Sequence, residues 1–252
     1  MKKSGFLLAS LAPALLVSCA ATGPAPWNPW VRYDTLQDAR DAHSYLTVRI
    51  GTQKWMAQNL AFGQPGSWCY GNDSAVCEEM GRLYTRNQAE HACPAGWHLP
   101  TGPEWDTLFH TVKWAYAMDK LRSRTGWDFQ NGFHPLWTLA KWVRPIAGLS
   151  SNPQLDLLGQ DVYGFRILPS GIRSSPDGIG ETALQLVKAQ NQAAKQEFAL
   201  KGSQAYFWSA TSYDETLPSI RSMFSGFAVV SRNPAFDDYG FSVRCVEDSR
   251  GN

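Results

Sequence analysis

Residues 1–19 decide which chemistry the rest of this chain can use to hold itself together. Lys2 and Lys3 open the sequence, and an apolar stretch runs from Phe6 to Val17. A basic start and a short apolar core mark an export segment, too short to span a bilayer with the usual flanks. Export implies an oxidising compartment, where paired cysteines can serve as cross-links. The stretch closes in Leu16-Val17-Ser18-Cys19, which is not the small-x-small pattern of ordinary cleavage.

Those four residues resemble a bacterial lipobox, at which signal peptidase cuts before a cysteine that becomes lipidated. The resemblance implies residues 1–18 as a lipoprotein signal peptide and a mature chain that starts at Cys19. That chain would hang from a membrane by acyl chains. Ala20 stands where an aspartate is associated with inner-membrane retention, so the outer membrane is the expected destination. Residues 19–33 read as a tether. Pro24, Pro26 and Pro29 lie among small residues, and proline favours extended backbone, so Ala20 to Val31 form a semi-rigid spacer reaching at most about 35 Å. Trp27 and Trp30 have two open readings here, packing on the domain or sitting at lipid headgroups.

Without residues 1–18 the chain keeps 234 of its 252 residues, enough for one large domain with its own core. The 23 basic and 22 acidic side chains become 21 and 22 once Lys2 and Lys3 are removed. No basic stripe points to nucleic acid, and no second apolar run points to a membrane span. Eleven Trp, nine Tyr and 21 Gly favour short strands and tight turns over a helical bundle.

Leu46-Thr47-Val48-Arg49-Ile50 alternates apolar and polar, Gly51-Thr52-Gln53 turns, and Lys54 to Ala57 resumes the pattern, which predicts a β-hairpin. Gly81 to Thr85 reads as a strand and Arg86 to Ala92 as a short helix ended by Pro94 and Gly96. Thr101-Gly102-Pro103-Glu104 is a capping box with proline in the first turn. Trp105, Leu108, Phe109 and Val112 follow at helical spacing. Pro135 to Val143 and Glu181 to Leu200 read as further helices, the second from its Ala, Gln, Lys and Leu content. Tyr163 to Leu168, Tyr206 to Thr211, Gly226 to Val230 and Gly240 to Val246 read as strands. In the last, Phe241, Val243 and Cys245 are expected inward, with Ser242 and Arg244 outward. Helices early and strands late predict an α+β fold with antiparallel sheet.

Seven motifs occur in order: Trp55-Met56-Ala57-Gln58-Asn59-Leu60, Trp68-Cys69-Tyr70, Gly81 to Thr85, Cys93-Pro94-Ala95-Gly96-Trp97-His98-Leu99-Pro100, Tyr163-Gly164-Phe165, Phe207 to Thr211, and Gly240 to Asp248. Over residues 34–248 they resemble the Fibrobacter succinogenes major paralogous domain, a family abundant among exported proteins of fibre-degrading bacteria. The run from Trp97 to Trp105 and the closing Gly-Phe-x-Val-Arg segment also resemble the formylglycine-generating-enzyme-like branch of the C-type-lectin-like fold. The resemblance therefore implies that fold, with antiparallel strands, few helices and irregular loops. Residues 128–160 and 176–203 depart from the family by their length.

Apart from Cys19 the chain has four cysteines, an even set with three possible pairings. Cys69–Cys77 would close a loop containing the turn sequence Gly71-Asn72-Asp73. Cys93–Cys245, pinning the first helix to the last strand, is what the lectin-like resemblance implies. By loop entropy the first is worth about 2–3 kcal/mol and the second about 5 kcal/mol.

The sequence lacks a Gly-x-Ser-x-Gly elbow, a His-Glu-x-x-His pair, a glycine-rich phosphate loop and zinc-type cysteine pairs, so no enzymatic activity is expected. His91, Cys93 and His98 are close, but Pro94 and Gly96 break any common face. Only Cys245 follows Cys93, so the cysteine pair that binds copper in formylglycine-generating enzymes is missing. Asn152-Pro153 and Asn233-Pro234 lack the preceding acid or amide of calcium lectins. Asp237-Asp238 reads as a solvated pair. No cofactor and no metal are expected. The remaining reading is a surface-anchored, non-catalytic module that binds polysaccharide or a cell-surface partner; the alternative is a structural component of the envelope. The aromatics expected to stack on sugar are Trp68, Tyr70 and Trp137, each beside a turn or in an enlarged loop. Trp208, inside a strand motif, is expected in the core.

Overall fold

The computed structural model describes residues 27–128, 159–174, 197–225 and 230–249. Their secondary structure is mixed and mostly antiparallel. Strands β1 (Asp34–Gln37), β2 (Ser44–Ile50) and β3 (Gln53–Met56) open the domain. Strands β4 (Ser67–Trp68), β5 (Leu83–Tyr84) and β6 (Trp97–His98) alternate with helices α1 (Ser74–Met80) and α2 (Arg86–Glu90). Helices α3 (Gly102–Thr111) and α4 (Ala117–Leu121) follow. Then come β7 (Ile172–Arg173), β8 (Phe198–Ala199), β9 (Gln204–Ser212), β10 (Pro218–Phe224), β11 (Ser231–Pro234), β12 (Phe241–Ser242) and β13 (Val246–Glu247).

One sheet runs β1-β2-β3-β13-β6, a second runs β11-β10-β9-β12-β5-β4, and β7 pairs with β8. Every pairing among these strands is antiparallel except β12 on β9. The predicted hairpin is β2–β3, with Ile50 opposite Gln53. Its two-residue turn needs a left-handed first position, and Gly51 supplies it at φ 60°. The capping box also forms. The Thr101 hydroxyl accepts from Glu104 N–H, and the Glu104 carboxylate accepts from Thr101 N–H. Trp105, Leu108, Phe109 and Val112 are all fully buried, where Trp105 meets Trp55, Phe109, Phe165 and Phe207. Burying side chains of this size is the main apolar driving term for the fold. Trp208 lies in a second cluster with Tyr84 and Phe241, its indole N–H bonded to the Tyr84 carbonyl at 2.6 Å.

Both disulfides are present, Cys69–Cys77 and Cys93–Cys245, with Cα atoms 5.0 and 5.9 Å apart. Cys93 follows α2 and Cys245 immediately precedes β13, so the long-range bridge ties the end of α2 to the strand between β3 and β6.

Three expectations need correction. Tyr163 to Leu168 is not a strand: Asp161, Gly164 and Arg166 all have positive φ, so the chain turns repeatedly and makes only an Ile167 bridge to Arg122. Gly240 to Val246 is two short strands, and Ser242 and Arg244 are both fully buried rather than outward. The predicted helix 181–200 lies mostly outside the described residues, but its end is strand, with Phe198 opposite Arg173. The predicted helix 135–143, Trp137 within it, and most of the predicted strand 226–230 also lie outside them.

The described chain begins already docked. Trp27 packs edge-on to Tyr33 with ring centroids 5.6 Å apart, and the Arg166 guanidinium lies 4.7 Å from the Trp27 ring. Asn28 is buried and donates from its amide to the Asp161 carbonyl at 2.8 Å. Burial pushes the Asp161 carboxyl up to about 7, against the Arg166 N–H and the nearby arginines that lower it. Trp30, two residues on from Asn28, is 90% exposed.

Candidate functional site

The Cys69–Cys77 loop presents an aromatic surface. Gly71 and Asn72 are both left-handed, at φ 65° and 58°, which folds the chain back from β4 into α1. Asp73 caps α1 by accepting from Ala75 N–H at 2.9 Å. Arg82, beside β5, fixes the base of the loop. Its Nε donates to Ser67 Oγ at 2.9 Å, Nη2 to the Ser67 carbonyl at 2.9 Å, and Nη1 points at Cys69 Sγ at 3.3 Å.

Trp68 leaves this base partly exposed. The Arg173 guanidinium lies 3.8 Å from its ring centroid, and Arg173 Nε is bonded to Glu197 at 2.9 Å. Tyr70 lies against Phe198, centroids 5.3 Å apart, with Lys201 Nζ 5.4 Å from its ring. Burial pushes the Tyr70 phenol up, opposed by the backbone N–H of Lys201 that it accepts. The β7–β8 ribbon therefore supplies the groups that hold both aromatics: Arg173 and Phe198 from its strands and Lys201 just beyond. A cation fixed on one ring face is worth about 0.5–1 kcal/mol at exposed sites and keeps the ring rigid.

Trp68 and Tyr70 thus belong to one surface, while Trp137 lies outside the described residues. Arg173, Phe198 and Lys201 were not legible as members of it. Arg173 and Phe198 sit on strands of two residues, too few for periodicity to register, and Phe198 and Lys201 fall inside the second long insertion.

A polar cleft of about 680 Å³ lies elsewhere, lined by Arg49, Gln53, Lys54, Glu104, Glu247 and Asp248 among others. Lys54 Nζ is 3.5 Å from Glu247 and 3.6 Å from Asp34. His98 stands beside the cleft with Nδ1 2.6 Å from Asp248 and Nε2 2.8 Å from Glu104. Burial lowers the His98 pKa, but the hydrogen bonds its ring donates to Asp248 and Glu104 and their charges outweigh it, so the net shift is upward. The two carboxylates occupy opposite ring nitrogens, and Cys93 is in a disulfide, so this cluster is no metal cage. Among the described residues no three His, Cys, Asp or Glu side chains are grouped to hold an ion. Nor does any described helix have the length and apolarity to cross a membrane.

The sequence profile of the Fibrobacter succinogenes major domain matches residues 48–247. That span is most of the chain, and the protein belongs to this family. No curated protein and no solved structure matches it.

Proposed function

We propose that this protein is an exported lipoprotein, anchored through Cys19 to the outer membrane, whose domain is a non-catalytic module that binds polysaccharide. Its architecture is read as C-type-lectin-like, of the formylglycine-generating-enzyme-like branch. Antiparallel strands, irregular loops and the Cys93–Cys245 bridge support that reading. The observation that carries the function is Trp68, an indole held face-on by Arg173 at 3.8 Å and still partly open to solvent. A rigid, partly exposed aromatic can stack on a sugar ring with little loss of rotamer freedom. Tyr70 extends the same surface. No part of this recognition needs a metal.

The test is retention on insoluble cellulose and hemicelluloses, with and without EDTA, for wild type, Trp68→Ala and Tyr70→Ala. Wild type should be retained in EDTA. Each substitution should weaken retention by about 1–3 kcal/mol, by analogy with stacking on nucleic-acid bases, while the domain stays folded. Retention abolished by EDTA would reject the metal-free surface. No retention on any polysaccharide would leave the structural role in the envelope.

A further inference from the structure

Three of the five exposed large hydrophobic side chains among the described residues lie along one run of contacts at the root of the N-terminal segment: Trp30, Tyr116 and Val162. The run starts at Asn28, whose Oδ1 accepts from Trp30 N–H at 3.0 Å and whose amide reaches the Asp161 carbonyl. Val162, next in the chain, donates its N–H to the Lys120 carbonyl at 2.8 Å. Lys120 Nζ in turn lies 5.9 Å from the Tyr116 ring. Arg32, Lys113 and Arg124 are exposed on the same segments. Singly exposed hydrophobics need no explanation. Here they are joined with cations, and Trp30 is 90% exposed on a backbone pinned by a buried asparagine.

We infer that this surface faces a phospholipid bilayer, with the Trp30 indole seated at the headgroup layer. The inference rests on the lipid anchor at Cys19 and assigns the face that the anchor presents. Eight residue steps separate Cys19 from Trp27, a reach of at most about 29 Å. A folded chain of this length has a diameter of about 45 Å. Trp27 and Asn28 are docked on the domain, so the anchor pulls on this face and cannot let it swing to the far side. Trp and Tyr prefer the membrane–water boundary, where the ring is desolvated and its polar edge stays wet. Arg and Lys beside them are drawn to anionic headgroups.

The experiment uses the full mature chain in vesicles of phosphatidylethanolamine and phosphatidylglycerol, with plain or brominated acyl chains. Brominated lipid quenches only indoles at the bilayer. Trp30 is so exposed that Trp30→Phe leaves the fold intact. Quenching is expected to fall about threefold or more in Trp30→Phe, because the interfacial ring is the one removed. Partition into a detergent phase reads the acyl anchor separately and is unaffected by the substitution. An anchored chain whose quenching is the same in wild type and Trp30→Phe, or absent from both, overturns this inference and leaves the anchor standing. A chain that fails to partition overturns both.

Discussion

Arg244 and His98 both tie the closing segment, residues 240–248, to the rest of the molecule, one from inside the core and one from its rim. Arg244 has no exposure. Its guanidinium donates to the Asn59 side-chain oxygen and to the carbonyls of Met56, Phe165 and Arg166, between the Phe165 and Phe207 rings. These acceptors are neutral. Burial and the like charge of Arg166 push Arg244 down to about 9, with Asp161 acting the other way, and it stays protonated at neutral pH. His98 has a side chain 36% exposed and two carboxylate partners. The interior group keeps its charge across the physiological range because burial lowers its pKa only to about 9. The rim group makes both bonds as donor only while it is an imidazolium.

The sharpest way to break this comparison is to cut the covalent tie between the two. Cys245 lies next to Arg244, and its bridge to Cys93 closes a separation of 152 residues. Cys93→Ser with Cys245→Ser should cost about 5 kcal/mol, while Cys69→Ser with Cys77→Ser should cost about 2–3 kcal/mol. Denaturant unfolding of the two double variants measures both. Equal losses would mean that the unfolded chain does not feel the longer loop.

Next in size is Arg244→Met. Methionine fills part of the volume but strands Asn59 Oδ1 and the three carbonyls in the core. Unsatisfied buried acceptors and lost packing together should cost about 3–5 kcal/mol. A loss below about 1 kcal/mol in the same assay would show that those acceptors are hydrated instead.

Arg244 also marks where the sequence stopped being readable. The hairpin, the capping box and the α3 core stripe were legible because each is local: alternation, a four-residue cap, helical spacing. Arg244 sits in an alternating Gly-Phe-Ser-Val-Arg-Cys-Val run, and alternation assigns it to solvent. The rule assumes one open sheet face, whereas the turning segment from Asp161 to Ile167 covers that side with carbonyls. That segment itself carries a strand signal, since nothing in Tyr163-Gly164-Phe165-Arg166 announces positive φ at Arg166. Trp68 and Tyr70 were legible from turns and exposure-prone aromatics. Their partners Arg173 and Phe198 were not, because they approach from a region far along the chain. His98 was legible only as one of three nearby metal-type residues. Its real partners, Glu104 and Asp248, come from a helix cap and from the strand end across the sheet.

The smallest expected effect is the most specific to His98. Its folded-state pKa is raised by Asp248 and Glu104 over the opposing effect of burial. A base whose pKa is higher in the folded than in the unfolded state stabilises the fold while it is protonated. The contribution is therefore complete below about 6.5, the unfolded histidine value, and is lost as pH rises through the folded-state pKa above it. Arg244 contributes no such slope between pH 5 and 8, because it stays charged throughout. Wild type should thus lose melting temperature between pH 6 and 9 relative to His98→Gln, which keeps a neutral donor in place. The effect is modest, since solvent screens a half-exposed cluster. Proton NMR should show the imidazole titrating above 6.5, with Glu104→Gln and Asp248→Asn each lowering its midpoint. Parallel pH profiles for wild type and His98→Gln, or a midpoint at or below 6.5, would make His98 a bystander. The rim of the closing segment would then be held by β13 pairing and the Lys54–Glu247 ion pair without it.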